Sequence, residues 1–122
     1  MTSFQNGQWE ENLQALATAL AGASGVPTQS SATGTPTSVA ANASAVALLT
    51  SNTGRKGAHV YNDSSATLYL GLFAHASLTT SVYTTQVPGG TLYEMPASPV
   101  YTGEISGLWA SATGNARITE MS

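Results

Sequence analysis

The side chains suited to acid–base chemistry are few: His59 and His75, and, beyond residue 11, the acids Asp63, Glu94, Glu104 and Glu120. A hydrolase needs such groups gathered around a nucleophile, and no G-x-S-x-G turn singles out one of the many serines. The two histidines lie sixteen positions apart, without the i, i+4 spacing that places two imidazoles on one helix face for zinc. There is no cysteine, hence no thiolate ligand and no disulfide, and no Gly-rich phosphate loop. His59 alternates with Tyr61 in a strand-like run and reads as a hydrogen-bonded strand residue. His75 sits in "AHASLTT" and reads as an exposed loop residue. The N-x-S triplets at Asn42 and Asn62 would take glycans only along a secretory route. The expectation is a protein that is not an enzyme and holds no cofactor or metal.

Composition narrows the class further. The 122 residues are enough for one domain. Only 7% are charged while 42% are hydrophobic, and Ser, Thr, Ala and Gly fill most of the rest. A formal charge of −3 offers no basic stripe for nucleic acid. No apolar run approaches a membrane span, and "MTSFQNGQWEEN" lacks a basic region followed by an apolar one, so neither a membrane partner nor a secretory signal is expected.

The elements that must position these residues fall into three zones: 1–21, 22–38 and 39–122. In "NGQWEENLQALATALA", Trp9, Leu13, Leu16 and Leu20 recur at spacings of four, three and four, the stripe of an amphipathic α-helix. Asn6 is placed to cap it, Glu10 and Glu11 sit near its positive end, and Gly22, Gly25 and Pro27 stop it. "GASGVPTQSSATGTPTS" is small, polar and uncharged, the composition of a flexible linker. From residue 39 the period becomes two, with turn signals at Asn52-Thr53-Gly54, Asn62-Asp63-Ser64, Pro88-Gly89-Gly90 and Thr113-Gly114-Asn115. Seven strands are expected, near 44–50, 57–62, 66–73, 80–87, 91–95, 103–111 and 115–121. The fold class is mainly β, an antiparallel sandwich or jelly roll preceded by the helix and linker.

The helix stripe is the candidate partner-binding feature. A single helix of this length is marginal in water, so Trp9, Leu13, Leu16 and Leu20 must find a surface. That surface is the chain's own β domain, another copy of the chain, or a different protein. Trp109, Tyr83 and Tyr101 open an alternative of another class, a carbohydrate-binding module with aromatic rings stacked on sugars, although Trp109 shares a strand face with Ile105 and reads first as core.

Two stretches carry a resemblance. "RKGAHVYNDSSATLYL" (Arg55 to Leu70) and "GLWASATGNARITE" (Gly107 to Glu120) look like a small β domain recurrent in structural proteins of tailed bacteriophages, covering roughly residues 38 to 122. The resemblance implies a virion structural protein, foremost a capsid decoration (cement) protein. Such a protein would bind the major capsid protein on the capsid surface as a homotrimer, assembled in the bacterial host cytoplasm. A tail-associated adaptor or fibre domain is the alternative. Arg55, Lys56 and Asp63 are then polar residues of architecture or of a subunit boundary: Arg55 and Lys56 leave a turn and enter a strand, Arg55 is expected to pair with Asp63, Glu104 or a neighbouring subunit, and Asp63 to build the "NDSS" turn.

Overall fold

A computed structural model describes residues 12–14 and 30–122 of the chain. Eight strands follow in order: β1 (Gly34–Ala40), β2 (Val46–Leu49), β3 (Gly57–Asp63), β4 (Leu68–Gly71), β5 (Thr85–Val87), β6 (Leu92–Glu94), β7 (Ile105–Trp109) and β8 (Asn115–Met121). A single 3₁₀ turn, His75–Ser77, interrupts the segment between β4 and β5. The strands form two antiparallel sheets, ordered β1-β8-β3-β6 and β2-β7-β4-β5. Every connection except β4–β5 therefore crosses from one sheet to the other. An eight-stranded double sheet wound in this way is a jelly roll, the more specific of the expected β architectures.

Alternation along the strands decides which face is inside. On β3, Ala58, Val60 and Asn62 point inward and His59, Tyr61 and Asp63 outward. The register sets Val60 opposite Ile118 and Asn62 opposite Ala116, so β8 contributes the matching inner row. The facing sheet supplies Leu68, Leu70, Val87, Ile105 and Trp109, and Leu48, Leu49 and Met95 complete the core. Each fully buried aliphatic side chain contributes about 1.5–3 kcal/mol through removal of apolar surface from water. β7 is buried at all five residues because it is central in its sheet and its outer face is also covered. Gly107 is where Leu48 packs down: a Cβ there would lie 2.9 Å from Leu48 Cδ1.

Seven of the eight strands fall where periodicity places them. β1 does not: it begins at Gly34, inside the stretch whose composition reads as linker to residue 38. Its sequence, GTPTSVA, has only Val39 as a sizeable apolar side chain, and nearly all of it is exposed. The strand exists because β8 offers a free ladder edge, which β1 fills over seven residue pairs from Gly34–Met121 to Ala40–Asn115. Pro36, which lacks an N–H, is tolerated because β1 is an edge strand. The expected strand 80–87 contracts to Thr85–Val87, its first half belonging to the long β4–β5 excursion. Of the helix expected over 6–21, residues 12–14 are described and are helical, with Leu13 exposed (54%). Trp9, Leu16 and Leu20 lie outside the described residues.

Two turns need glycine. Gly90 (φ 76°) and Gly114 (φ 89°) are left-handed, a conformation that a side chain penalises by about 1–2 kcal/mol. A Cβ on Gly90 would meet open space, whereas one on Gly114 would collide with the Asp63 carbonyl and with Ser64. Gly90→Ala should therefore lower stability by about 1 kcal/mol and Gly114→Ala by clearly more, about 3 kcal/mol, in chemical denaturation. Equal losses would show that the Gly114 turn yields freely.

Candidate functional site

Because the connections cross between sheets, they gather at the two ends of the sandwich. One end carries residues 41–45, 64–67, 88–91 and 110–114; the other carries 50–56, 72–84 and 95–104. β3 runs between them, and just before its start and near its finish stands a buried polar side chain.

Arg55, on the turn leading into β3, is buried with its side chain fully enclosed. Nε donates to Glu120 Oε2 at 2.7 Å, Nη1 to the carbonyls of Tyr101 (3.0 Å) and Gly103 (2.7 Å), and Nη2 to the carbonyl of Thr50 (2.7 Å). A guanidinium is the one side chain whose planar fork serves so many acceptors while remaining charged. Its four bonds join the β2–β3 turn, the β6–β7 segment and β8. The pairing expected with Asp63 or Glu104 is replaced by Glu120, which β8 brings beside it through the register Ala58–Glu120.

Asn62 is the counterpart at the other end, with no exposed surface. Nδ2 donates to the carbonyls of Ala66 (2.7 Å) and Val87 (2.8 Å), while Oδ1 accepts from Ser64 Oγ (2.7 Å) and Trp109 Nε1 (3.1 Å). One amide thus ties β3 to the β3–β4 turn, β5 and β7. Sequence reasoning assigned the "NDSS" turn to Asp63; it is Asn62 and Ser64 that close it, and Asp63 faces outward to Arg117 at 3.0 Å. The signal that separates the two is the inward phase of residues 58, 60 and 62, which puts Asn62 in the core.

Apart from the buried Ser106, the remaining polar side chains lie at or near the surface. Lys56 is exposed and donates from Nζ to the Ser30 carbonyl at 2.9 Å, while its backbone N–H reaches the Met121 carbonyl. Ser31 Oγ donates to the Ser122 carbonyl, so the chain enters the domain pinned against the end of β8. The outer face of the first sheet carries Tyr61 (39% exposed) opposite Leu92 (50%), with Arg117 on the other flank held by Asp63 and Ser38. His59 lies 4.0 Å from Glu94 on the same face, both well exposed. A shallow open groove of about 330 Å³ between β1 and β8 is lined by Pro36, Thr37, Ser38, Arg117, Ile118 and Thr119. Trp109 is buried (1%) and offers no ring face to a ligand. Tyr101 donates its hydroxyl to the Glu104 carbonyl, and Tyr83 packs edge-on to Tyr69 at 5.1 Å.

His75 and Glu104 form the tightest exposed pair. Glu104 Oε2 accepts from the His75 backbone N–H (2.6 Å) and contacts Nδ1 of its ring (2.7 Å). The backbone bond, then the ring bond and the ring's charge, hold the Glu104 carboxyl below the usual carboxylate range. Among the described residues no hydroxyl is bonded to the Glu104 carboxylate or the His75 ring, and no three His, Asp or Glu side chains converge as metal ligands. None of the described helical residues forms a segment long and apolar enough to cross a membrane.

Arg55 and Asn62 thus staple the β-sandwich at both ends as buried polar groups. No protein-family model, curated protein or solved structure matches the chain.

Removing the Asn62 amide should strip Trp109 Nε1 and the Val87 carbonyl of their bonds to it in the core and leave the Ala66 carbonyl with Ser64 Oγ alone. Asn62→Ala is expected to destabilise by about 3 kcal/mol or more, read as a lowered denaturation midpoint. Arg55→Lys keeps the charge but serves fewer of the four acceptors, and should lose about 2 kcal/mol. A wild-type midpoint for Arg55→Lys would mean that charge alone, not the fork, is what the site uses.

Proposed function

We propose that this chain is a bacteriophage structural protein, a head decoration protein that binds the major capsid protein on the outside of the particle and reinforces the lattice as a homotrimer. The observation that carries the reading is the strand order, β1-β8-β3-β6 over β2-β7-β4-β5, a winding recurrent in viral capsid domains. Fold by itself does not set function, so the surface must supply the rest. The two stretches that resemble phage structural domains prove to be mutual partners: Arg55 with Glu120, Asn62 with Trp109, Asp63 with Arg117. They belong to one folded unit of this chain.

The exterior supports repeated packing on a lattice. The loops of one end read ANASA, SSAT, PGGT and ASATG, without a charge or a long side chain. Small side chains allow backbones to approach closely and lose little rotamer entropy on contact. Contacts that are individually weak then accumulate across a symmetric array. The domain holds Ser30 and Ser31 by hydrogen bonds with Lys56 and Ser122, and Leu13 is helical and exposed, which offers this part of the apolar stripe to a neighbour. A lectin, the other frequent user of this fold, would need an exposed aromatic platform, and Trp109 is committed to the core.

The test uses capsids that lack the protein. Leu13→Asp combined with Leu16→Asp places two charges in the apolar stripe and should weaken co-sedimentation with capsids by about a hundredfold or more, while the domain's cooperative melt stays unchanged. Light scattering of the wild-type chain should give about three times the 12.4 kDa monomer mass. Undiminished co-sedimentation would remove the helix from the attachment role. Binding to tails in place of heads would move the protein to the adaptor class.

A further inference from the structure

The connection between β4 and β5 is the one that does not cross between sheets, and it is long. Its two ends meet: the Leu72 N–H donates to Thr84 Oγ1 and the Thr84 N–H to the Leu70 carbonyl, both at 2.8 Å. Between them the chain folds back over the outer face of the second sheet. Leu78 (5% exposed) is buried there over Gly71, together with Phe73 and apart from the main core. Ser106, also buried, donates to the carbonyls of Gly71 and Phe73. A closed loop with joined ends and its own small packed cluster is an Ω-loop.

The distal part of this loop has few fastenings. The internal bonds Ser77 N–H to Ala74, Leu78 N–H to His75 and Thr79 N–H to Val82 shape it but do not attach it to the sheet. Past Phe73, its attachments to the rest of the domain are the bond pair from His75 to Glu104, the buried Leu78 and, at its return, Tyr83, which packs edge-on to Tyr69 and accepts from Gln86 Nε2. Its tip presents Val82 to solvent (54%). Glu104 is itself held in place, because Tyr101 donates to its carbonyl and Arg55 grips the carbonyls of Tyr101 and Gly103. The latch thus has a fixed half on the β6–β7 segment and a movable half on the loop.

We propose that residues 74–82 form a flap released by acid, with Glu104 as the latch and exposure of Leu78 as the result. The ionised carboxylate holds the backbone N–H and the ring of His75 at one oxygen. Protonation of that carboxyl removes the charge from both bonds. His75 is the side chain facing the carboxylate among the described residues, and the Arg55 guanidinium behind it is engaged on backbone carbonyls and Glu120. Since the folded protein holds this carboxyl below its usual range, the closing contribution is complete above the ordinary Glu value and is lost as pH falls through the lowered one. The neck at Leu72 and Thr84 carries no titratable group, so the flap pivots there while the sheet stays intact.

Hydrogen exchange read by mass spectrometry tests this, with rates corrected for intrinsic pH dependence and referenced to β8. Between about pH 6 and about pH 3, protection of the 74–82 peptide should fall about tenfold relative to β8. Glu104→Ala should show the low value at both pH values, and His75→Ala, which keeps the backbone bond, a smaller loss at the higher pH. Constant wild-type protection would overturn the proposal. So would a Glu104→Ala variant that still loses protection on acidification, because another group would then be the trigger.

Discussion

A sandwich whose connections nearly all cross between its sheets must satisfy many backbone carbonyls at its two ends, where the ladders have stopped and the core is still dry. Arg55 and Asn62 resolve that constraint. They bracket β3, with Arg55 bonding to three carbonyls and one carboxylate at one end, and Asn62 to two carbonyls, a hydroxyl and the Trp109 indole at the other. Unpaired, each of these groups would carry the desolvation penalty of a buried polar atom; paired, they fix which loops meet. The two sheets are held at a set separation by packing and in a set alignment by these two side chains.

That arrangement explains how so few charges are used. Of the three basic residues, Arg55 is consumed inside, Lys56 secures the chain's entry at Ser30, and Arg117 is tied to Asp63 and Ser38. The exterior that remains is mostly hydroxyls, methyls and bare backbone. Such a surface has little long-range field for steering a charged ligand, and it has few long side chains to immobilise when it meets another protein. Close repeated contact is what it is suited to, and the proposed place on a capsid lattice follows from that physical character.

The chain also closes on itself. β1 pairs with β8, so that Ser38 accepts from Arg117 across 79 positions, and Ser31 reaches Ser122 across 91. Pairings of such sequence separation are entropically expensive to close and form after more local ones. β1 has almost no apolar side chain with which to hold itself in place. Its stability is borrowed from the β8 edge, and this is why its sequence resembles a linker.

Much of the fold was legible in the sequence. The alternation of Leu68, Leu70 and their neighbours and the turn residues between runs determine seven strands and a mainly β sandwich, because side-chain period and turn chemistry are local properties. The inward phase of Ala58 and Val60 even implies that Asn62 is buried, although a polar residue in that phase is easily assigned to the adjoining turn. The choice of Glu120 over Asp63 or Glu104 as partner for Arg55 was decided only in three dimensions, by the β3–β8 register that sets Ala58 opposite Glu120. Strand status for Gly34–Ala40 was decided there too, by a vacant ladder edge contributed from the far end of the chain. So was the meeting of His75 with Glu104, which depends on how the β4–β5 loop folds back over the sheet. Period and propensity act within a few residues, whereas register, edges and loop ends are set by segments that become neighbours only when the sandwich is closed.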